Sequence, residues 1–378
     1  MKKKLIFFGG TFDPPHAEHI EMLKRAKEEI NPDKIIVMPT FRPPHKKTFY
    51  PASPKQRLEL CREAFGDIQG VEISSMEIDK KGKSYSYITV EWLRRNYPEH
   101  DIFFLMGTDM LSSFHKWKNP ERILKYATPL LCERDGEGED SSVTVAKFYD
   151  RYKIKVQCIL YEGKNLSSTK VKAYKLLGLD VSKYTSNAVN RLIDRFSLYQ
   201  DSKYTTFLSE NVKEKRRIHT ANVVTLSVKY AKKLKANIEK TIIASMLHDC
   251  AKYLKVEDFP NFKIPNKVPS PVVHQFLGAY VAKEVLGVGD KVVLNAIKYH
   301  TSGKPKMSLI AKIIFVSDML EESRDFEGVE FLRKACDEDF ENGFKLCLKH
   351  SLNFANQKGD EVYSLTQKAI NYYEKNLT

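Results

Sequence analysis

The chain has 378 residues, 42% of them hydrophobic and 29% charged, with a formal net charge of +14. That balance excludes a disordered chain, and no apolar run approaches the roughly 18 residues of a membrane-spanning helix. The length allows two or three domains, and the basic excess fits either anionic ligands such as nucleotides or lysine-rich solvated helix faces, with no nucleic-acid recognition motif beside it.

Leu5–Phe8 is a short apolar run that stops at Gly9 and Gly10, the pattern of a buried strand ending in a turn. MKKKLIFFGG imitates the start of a signal peptide, but the run is too short and passes straight into the glycines. Asp13, Pro14 and Pro15 end the turn, and a helix is predicted from near His16 to Ile30, with Ile20, Leu23, Ala26 and Ile30 on one side. His16 and His19 share a face of its first turn, where free N–H groups and a partial positive charge favour anions. Glycines alone would mean a tight turn; with two imidazoles they make a candidate polyphosphate site. Glu18 is compatible with phosphate there only if it points away.

Lys34–Met38 is a second strand, followed by a proline-rich loop over 39–47. Ser53 and Pro54 start a helix carrying Arg57, and Val71–Ile73 is a further strand. Tyr87–Tyr97 is predicted helical, with Ile88, Trp92 and Leu93 inward. The strand Asp101–Met106 leads into Gly107-Thr108-Asp109, and Trp117 follows as core or as a stacking platform. Pro129–Cys132 is a strand, and Arg134 opens an acidic, glycine-rich run expected to be an exposed loop. After the strand Val156–Tyr161, Ser167, Ser168 and Thr169 are good residues to cap a helix. Asn187–Phe196 closes a strand–helix alternation that implies a doubly wound, Rossmann-like parallel sheet.

The polar stretch Ser197–Thr206 reads as a domain boundary, and helical periods dominate beyond it: Ile218–Lys235, Ile238–Leu247, Val272–Leu286, Lys291–His300, Leu309–Leu320 and the C-terminal segment. This all-α region collects His219, His248, Asp249, His274, His300 and Asp318. Each taken singly is an ordinary structural residue. Together, imidazoles and carboxylates in that number suit iron, manganese or zinc rather than calcium. The six cysteines, Cys61, Cys132, Cys158, Cys250, Cys336 and Cys347, form no Cys-x-x-Cys pair, which fits reduced thiols in a cytoplasmic protein.

GGTFDPPHAEH, from Gly9 to His19, resembles the GGTFDPxHxGH signature of the nicotinate mononucleotide adenylyltransferases, with Glu18 where that family has glycine. The PPHK stretch Pro43–Lys46, the Met76–Asp79 and Gly82–Ser86 segments, Gly107-x-Asp109 with Trp117, and Arg134 match further parts of its pattern. Leu166–Lys172 resembles its ISSTxIR motif, with lysine at 172 keeping charge but losing bidentate geometry. The resemblance implies that residues 1–196 transfer AMP from ATP to nicotinate mononucleotide. His16, His19, Lys46, Arg134 and Lys172 would hold the triphosphate with its Mg²⁺. Gly9, Gly10, Thr11, Phe12, Gly107, Asp109, Ser167, Ser168 and Thr169 would line the nucleotide, and Tyr85 and Trp117 would hold the pyridine ring.

The order H…HD…H…H…D resembles the HD-domain phosphohydrolases, specifically the bacterial enzyme that splits diadenosine tetraphosphate symmetrically. For residues 203–378 this implies one metal among His219, His248, Asp249 and Asp318 and a second at His274 and His300, with Asp249 bridging. Iron is the first choice, manganese and zinc the alternatives. Asp249 and Lys252 would serve the reaction, and Arg216 and Arg324 would contact phosphate. A regulatory nucleotide-binding HD module, or a transferase with another acceptor, are the competing readings. Metal analysis and an acceptor panel separate them.

Overall fold

The computed structural model describes residues 2–43, 49–134, 141–164, 166–358 and 362–375. The chain divides into two compact units: residues up to Val171 with Val181–Tyr199, and Lys172–Asp180 with Gln200 onward.

The first unit is built on a six-stranded sheet, β1 (Lys3–Gly10), β2 (Lys34–Pro39), β3 (Val71–Ile73), β4 (His100–Gly107), β5 (Ala127–Arg134) and β6 (Gln157–Tyr161). Its order is β3-β2-β1-β4-β5-β6, and every pairing is parallel. Leu5, Ile6, Phe7 and Phe8 are all buried because helices cover both faces of the sheet, as parallel strands require. Alternation splits them: Ile6 and Phe8 pack into one core, Leu5 and Phe7 into the other. Helices α1 (Ala17–Ile30) and α2 (Pro54–Phe65) cover the first core through Met22, Leu23, Ala26, Ile30, Cys61 and Phe65. After the short α3 (Met76–Lys80), helices α4 (Ser86–Asn96), α5 (Thr108–Ser113), α6 (Pro120–Leu124) and α7 (Ser141–Tyr152) cover the second. Each fully buried Leu, Ile or Phe side chain stabilises this arrangement by about 1.5–3 kcal/mol. The covering helices change face between the neighbouring strands β1 and β4, and a ligand crevice forms at such a switch point, beyond the strands' carboxyl ends.

Helices α8 (Ser168–Leu176) and α9 (Asn187–Arg195) follow. The division between the units falls inside the polar stretch 197–206, between Tyr199 and Gln200. Leu198 and Tyr199 are buried against α9, the Tyr199 hydroxyl donates to Asp13 Oδ1 at 2.8 Å, and α10 (Ser202–Asn211) already begins within it. Polar neighbours in the sequence conceal two anchoring side chains.

The second unit is helical: α11 (Glu214–Lys233), α12 (Ile238–Leu247), α13 (Val273–Glu284), α14 (Lys291–Lys298), α15 (Leu309–Leu320), α16 (Val329–Glu338), α17 (Phe340–Lys358) and α18 (Ser364–Lys375). Side chains cap several of these starts: Asn237 accepts from Lys240 N, Asp290 from Val292 N and Val293 N, Ser308 from Ala311 N, and Asp339 from Glu341 N and Asn342 N. Helix α15 is apolar nearly all round and lies at the centre, packed on α11, α12, α14 and α17. Among the described residues, no helix is long and apolar enough to cross a membrane.

Candidate active sites in the two units

At the carboxyl end of β1, a Cβ on Gly9 would lie 2.6 Å from the Phe7 ring, and one on Gly10 would lie 2.8 Å from the Phe12 ring. Phe12 adopts a left-handed φ of 48° and turns its ring edge-on to His19, with centroids 5.2 Å apart. The His16 backbone N–H donates to His19 Nδ1 at 3.2 Å, and the two imidazoles lie 3.7 Å apart, tilted by 34°. With Nδ1 accepting, a neutral His19 ring carries its proton on Nε2. The first N–H of α1, from Ala17, is already given to the Tyr184 carbonyl. An anion at this turn would therefore have to meet groups other than that amide. Glu18 is buried.

The start of α8 reaches the same turn. Ser168 Oγ donates to the Pro14 carbonyl at 2.9 Å, and Ser167 Oγ accepts from Lys170 N, the capping role its type suggests. Gly107 ends β4 opposite Cys132, and Arg134 is the last residue of β5, so both stand at the carboxyl edge with Gly10. Asp109 is exposed in the first turn of α5 and accepts from Met110 N. Tyr85 precedes α4, with Lys118 Nζ 4.7 Å from its ring centroid. Trp117 is half-buried on Phe104 and Phe114, so it is a core residue with part of its surface left over. Lys172 is buried and falls in the segment grouped with the helical unit. Lys46 lies outside the described residues.

Two residues at this turn carry more than their sequence signal. Arg57 is neither solvated nor aimed outward: its guanidinium donates to the carbonyls of Thr11 (2.8 Å), Phe41 (3.0 Å) and Ala52 (3.3 Å), and burial pushes its pKa down. Asp13 accepts from Ala52 N at 3.1 Å as well as from Tyr199. Together they tie the turn to distant loops, and no spacing in the sequence announces either role.

In the helical unit, five elements bring the six metal-type residues together. His219 lies in α11, His248 and Asp249 follow α12, His274 is in the first turn of α13, His300 follows α14, and Asp318 is near the end of α15. The Asp249 carboxylate divides its oxygens. Oδ1 faces His274 Nε2 at 3.3 Å and His300 Nε2 at 3.5 Å, whereas Oδ2 faces His248 Nε2 at 3.6 Å and Arg216 at 3.0 Å. Asp318 Oδ1 lies 3.0 Å from His219 Nε2 and 3.9 Å from His248 Nε2. Two triads, His219–His248–Asp318 and His248–Asp249–His300, keep all their ligand atoms within 4.8 Å of one another.

The donor set fits metal ions. His248 Nε2 is buried with no hydrogen-bond partner among the described residues, and the buried His219 Nε2 and Asp249 Oδ1 face other members of the cluster, an arrangement that coordination would relieve. The opposite ring nitrogens are all engaged: His248 Nδ1 with the Ser245 carbonyl at 2.7 Å, His300 Nδ1 with the Ile297 carbonyl at 2.8 Å, and His219 Nδ1 with Glu321 Oε1 at 3.0 Å. Such bonds turn Nε2 toward a metal. Burial pushes His248 down to about 4, so it stays neutral. For Asp249 and Asp318, burial favours the acid, but the surrounding histidines outweigh it and hold both carboxyls below the usual range. Cations border the cluster: Arg324 donates to Asp318 Oδ1 at 2.9 Å, and Lys252 Nζ lies 3.3 Å from His274, its pKa lowered by burial. Glu321 had no counterpart in the spacing argument, since a glutamate three residues after Asp318 reads as helix surface.

A cytidylyltransferase-like family model matches residues 7–174, and an HD-domain model matches residues 216–323. A Mycoplasma genitalium protein described as a "probable nicotinate-nucleotide adenylyltransferase/Ap4A hydrolase" is 30% identical over 364 residues, covering 93% of this chain and 99% of that one. Its Mycoplasma pneumoniae counterpart is 29% identical, covering 91% and 98%. A Clostridium tetani "probable nicotinate-nucleotide adenylyltransferase" is 32% identical over 201 residues, which is 53% of this chain and 100% of that protein. The similarity therefore extends over both units in one order, and the chain belongs to the family of fused nicotinate-nucleotide adenylyltransferase/Ap4A hydrolases.

Proposed function

We propose that the chain carries two reactions in separate sites. In the first, assigned to residues 1–196, a phosphate oxygen of nicotinate mononucleotide attacks the α-phosphorus of ATP. The bond to the β-phosphate breaks, and deamido-NAD and pyrophosphate form. No covalent enzyme intermediate is needed; positioning and charge stabilisation supply the rate. His16 and His19, with Lys46, Arg134 and Lys172, offset the triphosphate charge, and Mg²⁺ arrives with ATP. The glycine turn, Thr11, Phe12, Gly107, Asp109 and the Ser167–Thr169 segment line the nucleotide, and Tyr85 and Trp117 receive the pyridine.

In the second, assigned to residues 203–378, diadenosine tetraphosphate and water give two ADP. His219, His248, Asp249 and Asp318 would hold one metal, and His274 and His300, with Asp249 shared, a second. Such ions, iron by our assignment with manganese or zinc as alternatives, activate water and offset phosphate charge when bound. Arg216, Lys252 and Arg324 bind the phosphates, and the neutral His248 ring keeps its lone pair available. The observation that carries this reading is Asp249, whose two oxygens face opposite histidine sets. The six free cysteines support a cytoplasmic setting.

The test is to assay one purified preparation for metal content, for deamido-NAD formation from ATP and nicotinate mononucleotide, and for ADP release from diadenosine tetraphosphate. Both products and close to two metals per chain are expected. A chain with metal but no hydrolysis of any dinucleoside polyphosphate would overturn the second assignment. Failure to adenylylate nicotinate mononucleotide would overturn the first.

A further inference from the structure

Glu321, immediately after α15, is 0% exposed although nothing in the proposed reactions uses it. Its Oε2 accepts from Asn222 Nδ2 at 3.0 Å and from Ser323 N at 2.7 Å, and its Oε1 accepts from Ser323 Oγ at 2.5 Å. The remaining close neighbour is His219 Nδ1, 3.0 Å from Oε1. Both oxygens already accept from Ser323 and Asn222, so the carboxylate is placed as an acceptor and His219 Nδ1 as a donor to it. With a proton on Nδ1, the lone pair of a neutral ring sits on Nε2, the buried atom 3.0 Å from Asp318 Oδ1 and beside His248.

The carboxylate is itself held in place. Arg333 donates to the Glu321 carbonyl at 2.8 Å and to the Leu320 carbonyl at 3.0 Å, fastening the end of α15. Arg324 bridges Asp318 Oδ1 at 2.9 Å and Glu321 Oε1 at 3.7 Å. One helix end therefore sets both the ligand Asp318 and the group that orients His219.

We propose that Glu321 is a positioning residue of the metal centre: it fixes His219 in the tautomer whose Nε2 lone pair faces the metal, and its charge makes that nitrogen a stronger ligand. The proposal rests on the two-metal reading above. A glutamine here is isosteric but unsuitable, because its amide NH₂ must confront a donor whichever way it is turned.

The test titrates the full chain, made free of metal, with Mn²⁺ and counts free ion by its paramagnetic resonance. Glu321→Gln should bind Mn²⁺ about 10–100-fold more weakly than the wild type, the usual range for losing such a partner, with an unchanged circular dichroism spectrum. An affinity within about twofold of wild type would overturn the proposal. A second measurement needs no variant: ¹⁵N shifts of the histidine rings in the wild-type chain loaded with Zn²⁺ should place the His219 proton on Nδ1. A proton on Nε2 would overturn it even if Glu321→Gln does not fold. If the wild type itself binds no Mn²⁺, the two-metal reading falls, and this proposal with it.

Discussion

Asp249→Asn tests the helical site most directly, because it keeps the shape of a 4%-exposed side chain and removes one charge. The aspartate serves two sides, with Oδ1 toward His274 and His300 and Oδ2 toward His248 and Arg216. An asparagine has one acceptor oxygen, so one side loses its ligand and faces an NH₂ group instead. Turned toward Arg216, that NH₂ meets a cation; turned toward His274 and His300, it occupies their Nε2 atoms. A charge-assisted hydrogen bond contributes about 1.5–3 kcal/mol. At about 1.4 kcal/mol per decade, losing one such interaction lowers metal affinity about 10–150-fold, and weakening both sides lowers it about 10²–10⁴-fold. Hydrolysis of diadenosine tetraphosphate should fall at least as far. Adenylyl transfer should persist, since its residues precede 196 and its Mg²⁺ comes with ATP. Metal content and both rates, measured on the same preparation, decide the matter. Full metal content with retained hydrolysis would refute the shared carboxylate. Loss of both activities in a folded protein would refute the independence of the sites.

In the first unit, His19→Ala should lower kcat for adenylyl transfer about 10²–10³-fold, the usual effect of deleting one preorganised donor, with little change in Tm because the ring is only half-buried; near-normal turnover would refute its role. Nicotinate mononucleotide should have a higher kcat/KM than its amide, since the two differ mainly in charge and Lys118 stands 4.7 Å from the Tyr85 ring; steady-state kinetics with an equal or reversed ratio would sink this. Of the six cysteines, Cys158 alone is exposed, and burial pushes the Cys61 and Cys250 thiols well up. A thiol reagent should therefore titrate one cysteine quickly in the native chain and the other five only on unfolding; two or more fast thiols would contradict the packing.

The sheet was legible because a parallel strand covered on both faces must be apolar at consecutive positions, as Leu5–Phe8 and Ile35–Met38 are. Helices of the second unit were legible for a similar reason: each carries its period and often its cap locally, as Ser308 does for α15. Less visible were α3, α5, α6 and α7, short or weakly patterned helices between strands. Ser197–Thr206 was legible as the boundary, but its polar majority hid the buried Leu198 and Tyr199.

The sequence by itself determined which chemistry is available: a glycine turn with two histidines at the end of the first strand, and four histidines with two aspartates in a helical region. Residue type and short spacing are enough for that, because a strand end or a helix turn places near neighbours without help from the rest of the chain. Tertiary structure alone decided how those groups face one another. Asp249 divides its oxygens between His248 and the pair His274 and His300, Glu321 meets His219 across 102 residues, and Tyr199 reaches Asp13 across 186. No local periodicity encodes such pairings. They follow from burial, which leaves each ionised or hydrogen-bonding group to find its partner among whatever side chains the packed helices and strands bring within about 3 Å.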